Sequence, residues 1–516
     1  MNESLIEKID LEIEASRRAV TDDTIRFVNI KSVLGEPAEG APFGIGPKMV
    51  LDEFKKDASA DGFFVKDYGC GVVSASVKDA PIDLGIWLHG DVVPEGEGWI
   101  YPPYNATEYK GCVIGRGATD NKGQLAAAYN LMKIFKRLGI SLKYNAAIYL
   151  GSNEETGSYD IVGLPDNPDA KGFINVATAP RLSLVPDSSW PVGVGGWGLV
   201  TFKLKSKKKL TSIDFVAGED KAPGLAEAKF KSGFLPTEAP EGCEINADGC
   251  SVTAYTPPRH GANPDPNGNM ITVLSRALID MPEVSDSDKE ILCGLRDLSL
   301  DVYGNWFKNA PDSDDKMRAF PKCVEMIDGH AQLTIVIRNP MGFEFDNMLS
   351  DITAYAEKLG FDVSYALNRT KPYMLDKNSK EAQLLLRVAN EVCGTNAEPF
   401  ITKGGTYAHK LPNAYVFGAS GNLPPDDFPE GHGKAHGVDE CVSIDRLVRM
   451  MKIYARALLR LEEILYSEGI GQPKSLFYKG LYAYEKKGKA EDFLNFAFRA
   501  FTDICRIRRH HLFFRV

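Results

Sequence analysis

Apolar positions in residues 4–34 recur at helical spacing (Ile6, Ile9, Leu11, Ile13, then Ala19-Val20), which predicts one or two amphipathic helices. The pattern then turns to strands at 72–77 and 82–89. The second is almost continuously apolar, as a sheet covered on both faces requires. Residues 124–138 return to the helical period (Leu125, Ala128, Leu131, Met132, Ile134, Phe135, Leu138) and stop at Gly139. Residues 144–150 read as another buried strand. Strand, helix and strand in this order predict a mainly parallel sheet in an α/β domain.

The texture changes after Trp190-Pro191. Residues 199–204 alternate like a half-exposed strand, followed by a helix at 271–278, a strand at 332–338, a helix at 345–359 and a strand at 362–367. This is an α+β pattern. The α/β pattern returns with a helix at 381–393, a strand at 414–418 and a helix at 444–465. The expected organisation is a first domain over 1–192 and 369–466, interrupted by a second over 193–368. Residues 467–516, with ten Lys or Arg against five Asp or Glu and many aromatics, form a C-terminal extension. No internal repeat is visible at the level of letters.

Composition narrows the function only by exclusion. The chain is 44% hydrophobic and 25% charged, as in globular proteins, and 516 residues are too many for one ordinary core. A net charge of −10 argues against nucleic acid as a partner. No apolar run approaches roughly 18 residues, which predicts no membrane span. The acidic start lacks the basic and apolar regions of a signal peptide. Nine cysteines without a Cys-x-x-Cys pair fit reduced thiols in a cytoplasm and argue against a cysteine zinc site.

Five short contexts carry the chemistry: Trp87-Leu88-His89-Gly90-Asp91, Gly115 to Gly123 around Asp120, Gly151 to Gly157 around Glu154-Glu155, Val185-Pro186-Asp187, and Ala435 to Glu440 around His436. Two imidazoles and three carboxylates are what two divalent ions need if one carboxylate bridges them. His89 and Asp91 lie two apart at a strand end, where both side chains can share a face and Asp91 can orient the imidazole. Alone, His-Gly-Asp is an ordinary strand-end turn, Asp120 is a good helix N-cap, and Glu154-Glu155 is an ordinary acidic pair. Adjacent side chains diverge, so one of the two glutamates can bind metal while the other faces a bound water.

With these contexts in order, the chain resembles the dinuclear zinc peptidase and aminoacylase superfamily, and within it the PepV-type bacterial dipeptidases, over about residues 5–466. The resemblance implies an α/β zinc-peptidase catalytic domain interrupted by an α+β lid. It implies two divalent metal ions, zinc first, with manganese or cobalt as alternatives. One would be held by His89, Asp120 and Asp187, the other by Asp120, Glu155 and His436, with a cis peptide at Asp120-Asn121. Asp91 would orient His89, and Glu154 would be the general base toward a metal-bridged hydroxide.

Further residues follow from the same resemblance. His260, in His260-Gly261-Ala262-Asn263-Pro264, would stabilise the oxyanion, and Asn269 belongs to the same lid motif as a substrate contact. Arg338 would grip the substrate's terminal carboxylate. Gly404, Gly405 and Thr406 would offer backbone N–H groups to a carboxylate. The chain departs from the pattern at Asn121, Asn153, Asn267 and Met270, and Gly195-Gly196-Trp197-Gly198 replaces a charged hinge segment. The implied activity is hydrolysis of short unblocked dipeptides by a cytoplasmic monomer whose enlarged lid stands in for a dimer partner. An N-acyl amino acid deacylase is the alternative, and a metal-dead binding protein a third reading.

Overall fold

The computed structural model describes residues 3–164, 167, 169–218, 224–232, 239–246, 249–256, 268–308, 316–419 and 424–467. His260, Asn267 and the extension from 468 onward lie outside the described residues.

A nine-stranded sheet carries the motifs. Its order is Phe64–Asp67, Val72–Ser76, Ala146–Gly151, Leu84–His89, Leu182–Val185, Ala414–Val416, Gly193–Gly196 and Tyr373–Met374, with Phe400–Thr402 also paired to Gly193–Gly196. Leu84–His89 runs parallel to both neighbours, and Ala414–Val416 runs parallel to Leu182–Val185. The flanks are antiparallel, as at Phe64–Asp67 with Val72–Ser76 and at Tyr373–Met374 with Gly193–Gly196. The mainly parallel expectation thus holds for the centre of a mixed sheet. Between Phe64–Asp67 and Val72–Ser76 the connection is hairpin-length and cannot make the crossover that parallel pairing needs.

Alternation within the buried strands decides which face each residue serves. Leu84, Ile86 and Leu88, with Ala146, Ile148 and Leu150, pack on the side covered by the helices Glu3–Ala15, Arg17–Val28, Gly123–Arg137 and Ile444–Ser467. Trp87, Ala147 and Tyr149 face the other side, where Trp87 and Tyr149 stack at 4.1 Å and Phe173 meets both edge-on. His89 shares the Trp87 strand and ends it in register with Gly151. The carboxyl ends of three parallel strands thus converge on one edge, where ligands gather in α/β sheets.

The second sheet is antiparallel throughout and has eight strands. Its order is Glu244–Ile245, Ser251–Tyr255, Leu225–Phe230, Ile213–Ala217, Arg318–Ile327, His330–Asn339, Gly198–Ser206 and Phe361–Thr370. It has its own core, with Leu274 and Leu278 from Met270–Ile279, Ile291, Leu292 and Leu295 from Asp286–Leu300, and Met348, Ile352 and Ala356 from Phe345–Lys358. The passage between sheets falls at Trp197, not at residue 193, because Gly193–Gly196 is hydrogen-bonded into the first sheet. The last strand of the second sheet runs to Thr370, beyond the expected 368. Three-stranded Cys441–Ser443, Cys112–Ile114 and Thr107–Tyr109 join the regions before Asp120 and after His436. No helix of the described residues is long and apolar enough to cross a membrane, and eight described cysteines are free.

Candidate metal centre

His89, Asp120, Glu155, Asp187 and His436, spread over the whole first sheet in sequence, meet at that strand edge. Ligand atoms of His89, Asp120 and Asp187 lie within 4.8 Å of one another, and so do those of Asp120, Glu155 and His436. Asp120 belongs to both groups. Its Oδ1 is 2.9 Å from His89 Nε2 and its Oδ2 is 3.1 Å from His436 Nε2. His436 Nε2 is also 3.1 Å from Glu155 Oε2. Two imidazole nitrogens and three carboxylates, with one carboxylate shared, suit a pair of divalent ions, and an N/O donor set accepts zinc, manganese or cobalt.

Each donor is held from behind. His89 Nδ1–H donates to the Asp91 carbonyl oxygen at 3.0 Å, which leaves Nε2 facing the site. The Asp91 carboxylate, 3.6 Å from Nδ1, instead accepts the backbone N–H groups of Glu154 and Glu155, each at 3.0 Å. The expected orientation of His89 therefore comes from the Asp91 main chain, while the Asp91 side chain clasps the acidic turn. A strand end lets one residue do both, because its carbonyl and side chain point apart.

Asp120 is not a helix cap: the helix Gly123–Arg137 starts after Lys122, and Asp120 sits in the turn Ala118–Lys122 with φ −141° and ψ 89°. Its peptide to Asn121 is cis. Glu440 Oε1 accepts from the N–H groups of Thr119 and Asp120, each at 3.0 Å, and Glu440 Oε2 pairs with Arg116. Glu440 and Arg116 are buried together, so neither carries an isolated buried charge. Asn121 donates to the Pro186 carbonyl at 3.0 Å and to Asp187 Oδ1 at 3.4 Å. An Asp there could not donate either bond. Lys122 is buried with its Nζ on the Ile30 carbonyl, and burial pulls it down to about 7.

Electrostatics divide the cluster. Burial and the Asp187 charge hold the Glu154 carboxyl well above the ordinary carboxylate range, and burial and Asp120 do the same to Asp187. Burial would also raise Asp120, yet His436 and His89 hold it lowered. Glu155 raises His436, and Asp120 and Asp91 raise His89 despite its burial. A carboxyl raised by burial and placed beside two groups of candidate metal ligands is a stronger base than an ordinary carboxylate.

The remaining expected residues are dispersed. Arg338 projects from the second sheet to the 403–406 loop, where Nη1 donates to the Lys403 carbonyl at 2.6 Å. Gly404 N–H is engaged by Thr402 Oγ1 at 3.2 Å and Thr406 N–H by His409 Nδ1 at 3.3 Å. The proposed backbone nest thus has two of its three donors directed inward. Asn269 caps the helix Met270–Ile279, accepting Ile271 N–H at 3.0 Å, and among the described residues its Nδ2 has no partner.

Trp197, expected in the hinge, is held there by residues that reading the sequence overlooked. Trp197 N–H donates to the Thr402 carbonyl, and His409 Nε2–H donates to the Trp197 carbonyl, both at 2.9 Å. Lys403 and Arg318 lie over the indole at 4.9 and 5.9 Å. A Cβ at Gly196 would collide with the His409 ring, which accounts for glycine in place of a charged hinge. Burial pulls His409 down to about 4 from an ordinary 6.5. The native state resists a proton that the unfolded chain takes up near pH 6.5. Stability from this residue is therefore complete above pH 6.5 and lost as pH falls toward 4, by about 3 kcal/mol in all. His409→Gln is expected to flatten urea-melt stability over this interval by about that amount; an unchanged slope would remove the assignment.

With this geometry in view, similarity to known proteins is decisive. The model of peptidase family M20/M25/M40 matches residues 86–460. The chain belongs to this family. It is a metallohydrolase of the dinuclear M20 type. The Beta-Ala-Xaa dipeptidase of Lactobacillus delbrueckii subsp. lactis is 27% identical over 477 residues, covering 87% of this chain and 97% of that protein. Human carnosine dipeptidase 1 shares the fold with a TM-score of 0.56 at 16% identity, covering 89% of this chain and 99% of that one. The dipeptidase Dug1p of Saccharomyces cerevisiae does so with a TM-score of 0.54 at 15% identity, covering 90% and 99%. The M20 assignment agrees with the resemblance carried by the five motifs.

Proposed function

We propose that this M20 enzyme is a metal-dependent dipeptidase acting on short unblocked dipeptides. The observation that carries the reading is the pair of donor groups joined through Asp120, with Glu154 beside them but in neither. Likeness to a Beta-Ala-Xaa dipeptidase along nearly its whole length supports the substrate class. His89, Asp120 and Asp187 would hold one ion, and Asp120, Glu155 and His436 the other, zinc first among the candidates. When bound, such a pair supplies Lewis acidity that lowers the pKa of water and polarises the scissile carbonyl. Glu154 takes a proton from the attacking water and returns it to the leaving amine. His260 keeps its assignment as oxyanion donor. Asn269 and the Gly404-Gly405-Thr406 loop are assigned to the substrate. Residues 198–370 serve as the lid, and the enzyme works as a monomer in the cytoplasm.

Arg338 is assigned to the substrate's terminal carboxylate. Its guanidinium is largely buried, has no carboxylate within 4.0 Å among the described residues, and is lowered by that burial. A buried cation held by one carbonyl gains from an arriving anion. Arg338→Ala is expected to raise KM for free dipeptides about 100-fold, and for C-terminally amidated ones only slightly. Equal effects on both would remove the clamp.

The deciding experiment is turnover of a mixed panel by metal-replete protein: free dipeptides including β-alanyl ones, beside N-acetyl and N-succinyl amino acids, with EDTA controls. Cleavage of free dipeptides, abolished by EDTA and restored by zinc or manganese, is expected. Cleavage of only the acylated compounds would move the enzyme to deacylation. Binding without turnover would make it a metal-dead relative.

A further inference from the structure

The acidic turn is held by two carboxylates. Asp91 takes the N–H groups of Glu154 and Glu155. Asp160 takes the two before them, Ser152 at 2.8 Å and Asn153 at 3.2 Å, both on Oδ2. Four consecutive backbone donors therefore end on two buried side chains. The same Asp160 Oδ2 also accepts the Tyr407 hydroxyl, whereas Oδ1 has no partner among the described residues.

Tyr407 follows directly on Gly404-Gly405-Thr406. Its buried ring stands edge-on to His89 at 6.3 Å and to Trp87 at 6.2 Å. The approach is close enough that a Cβ on Gly151 would collide with both the Tyr407 hydroxyl and Asp160 Oδ2. An acid is a costly choice for a mere turn cap here. The groups acting on Asp160 are Asp91, Tyr407 and two amides, none of them a cation, and burial pushes it up to about 7. What the arrangement gains is a link between the turn that presents Glu154 and the loop that follows the lid hinge.

We propose that Asp160 and Tyr407 form one positioning unit that keeps Glu154 at a fixed spacing from the 404–406 loop. Neither touches substrate or metal ligands by a hydrogen bond; both act through the Ser152–Glu155 backbone. The inference rests on the dipeptidase reading above. A base displaced by about 1 Å costs on the order of 100-fold in rate, so a loosened turn shows in kcat.

The test compares Tyr407→Phe, Asp160→Asn and the double variant at saturating zinc, with bound zinc counted per chain. Tyr407→Phe is expected to lower kcat about tenfold, with KM for a free dipeptide within about twofold and zinc content unchanged. The double variant should fall no further than the worse single one, because both break the same link. A Tyr407→Phe kcat within about twofold of wild type overturns the proposal, as does a rise in KM alone or an additive double loss. If Asp160→Asn fails to fold, the kcat-against-KM split of Tyr407→Phe decides. Wild type that cleaves only N-acyl compounds overturns the dipeptidase reading, and the same comparison on that substrate still decides the positioning unit. Wild type inert on every compound overturns both.

Discussion

Replacing Glu154 by alanine is expected to lower kcat about 1000-fold while two metal ions remain bound and KM changes little. Glu154 stands in neither donor group, so its loss takes no ligand from either ion. Its backbone N–H is fixed by Asp91, so the side chain can be removed without disturbing the turn that also carries Glu155. Burial and the nearby Asp187 charge hold its carboxyl above the ordinary range, which favours a group that both accepts and returns a proton. Kinetics with metal analysis check the claim. A near-wild-type rate would take the role of base from Glu154, and loss of an ion would make it a ligand.

Asp120→Ala is expected to be more severe and different in kind. Both donor groups share this residue, so both ions should be lost together, and activity should fall below detection at micromolar added zinc. Asp187→Ala, which belongs to one group, should leave one ion in place. Metal counted per chain separates the two variants. If Asp120→Ala retains both ions, the carboxylate does not bridge. Because Glu440 holds the Thr119 and Asp120 N–H groups through the main chain, the loop itself should survive the change. An intact near-ultraviolet signature would verify that.

The five candidate ligands were legible because each lies within a few residues of the element that presents it. His89 ends an apolar strand, Glu154-Glu155 and Asp187 follow two more, and parallel pairing carries those ends to one edge. The helix Gly123–Arg137 and the strand Ala146–Gly151 were likewise written in local periodicity. The helices Ile45–Ala60 and Asp286–Leu300 were not read. The first opens at Gly44 without a side-chain cap, and the second interleaves acids and lysine with its apolar face.

Partnerships were harder to see than ligands. Asp160 meets Tyr407 across 247 positions, Arg116 meets Glu440 across 324, and His409 meets Trp197 across 212. Nothing in the immediate neighbours of Asp160 distinguishes it from a helix-start acid. Asn121 looked like a departure until its amide was seen to donate toward Asp187. Asp91 was expected to orient His89, and the fold presents its carbonyl to the imidazole while its carboxylate holds the acidic turn.

The sequence by itself determined the donor types, their order and the strand ends that deliver them, because hydrophobic periodicity and local chemistry act over a few residues. Only the tertiary structure decided which amides each acid clasps and how Arg338 reaches the 403–406 loop. Those outcomes depend on packing between segments hundreds of residues apart, where hydrogen-bond geometry is set by the whole sheet and not by any neighbour in the chain.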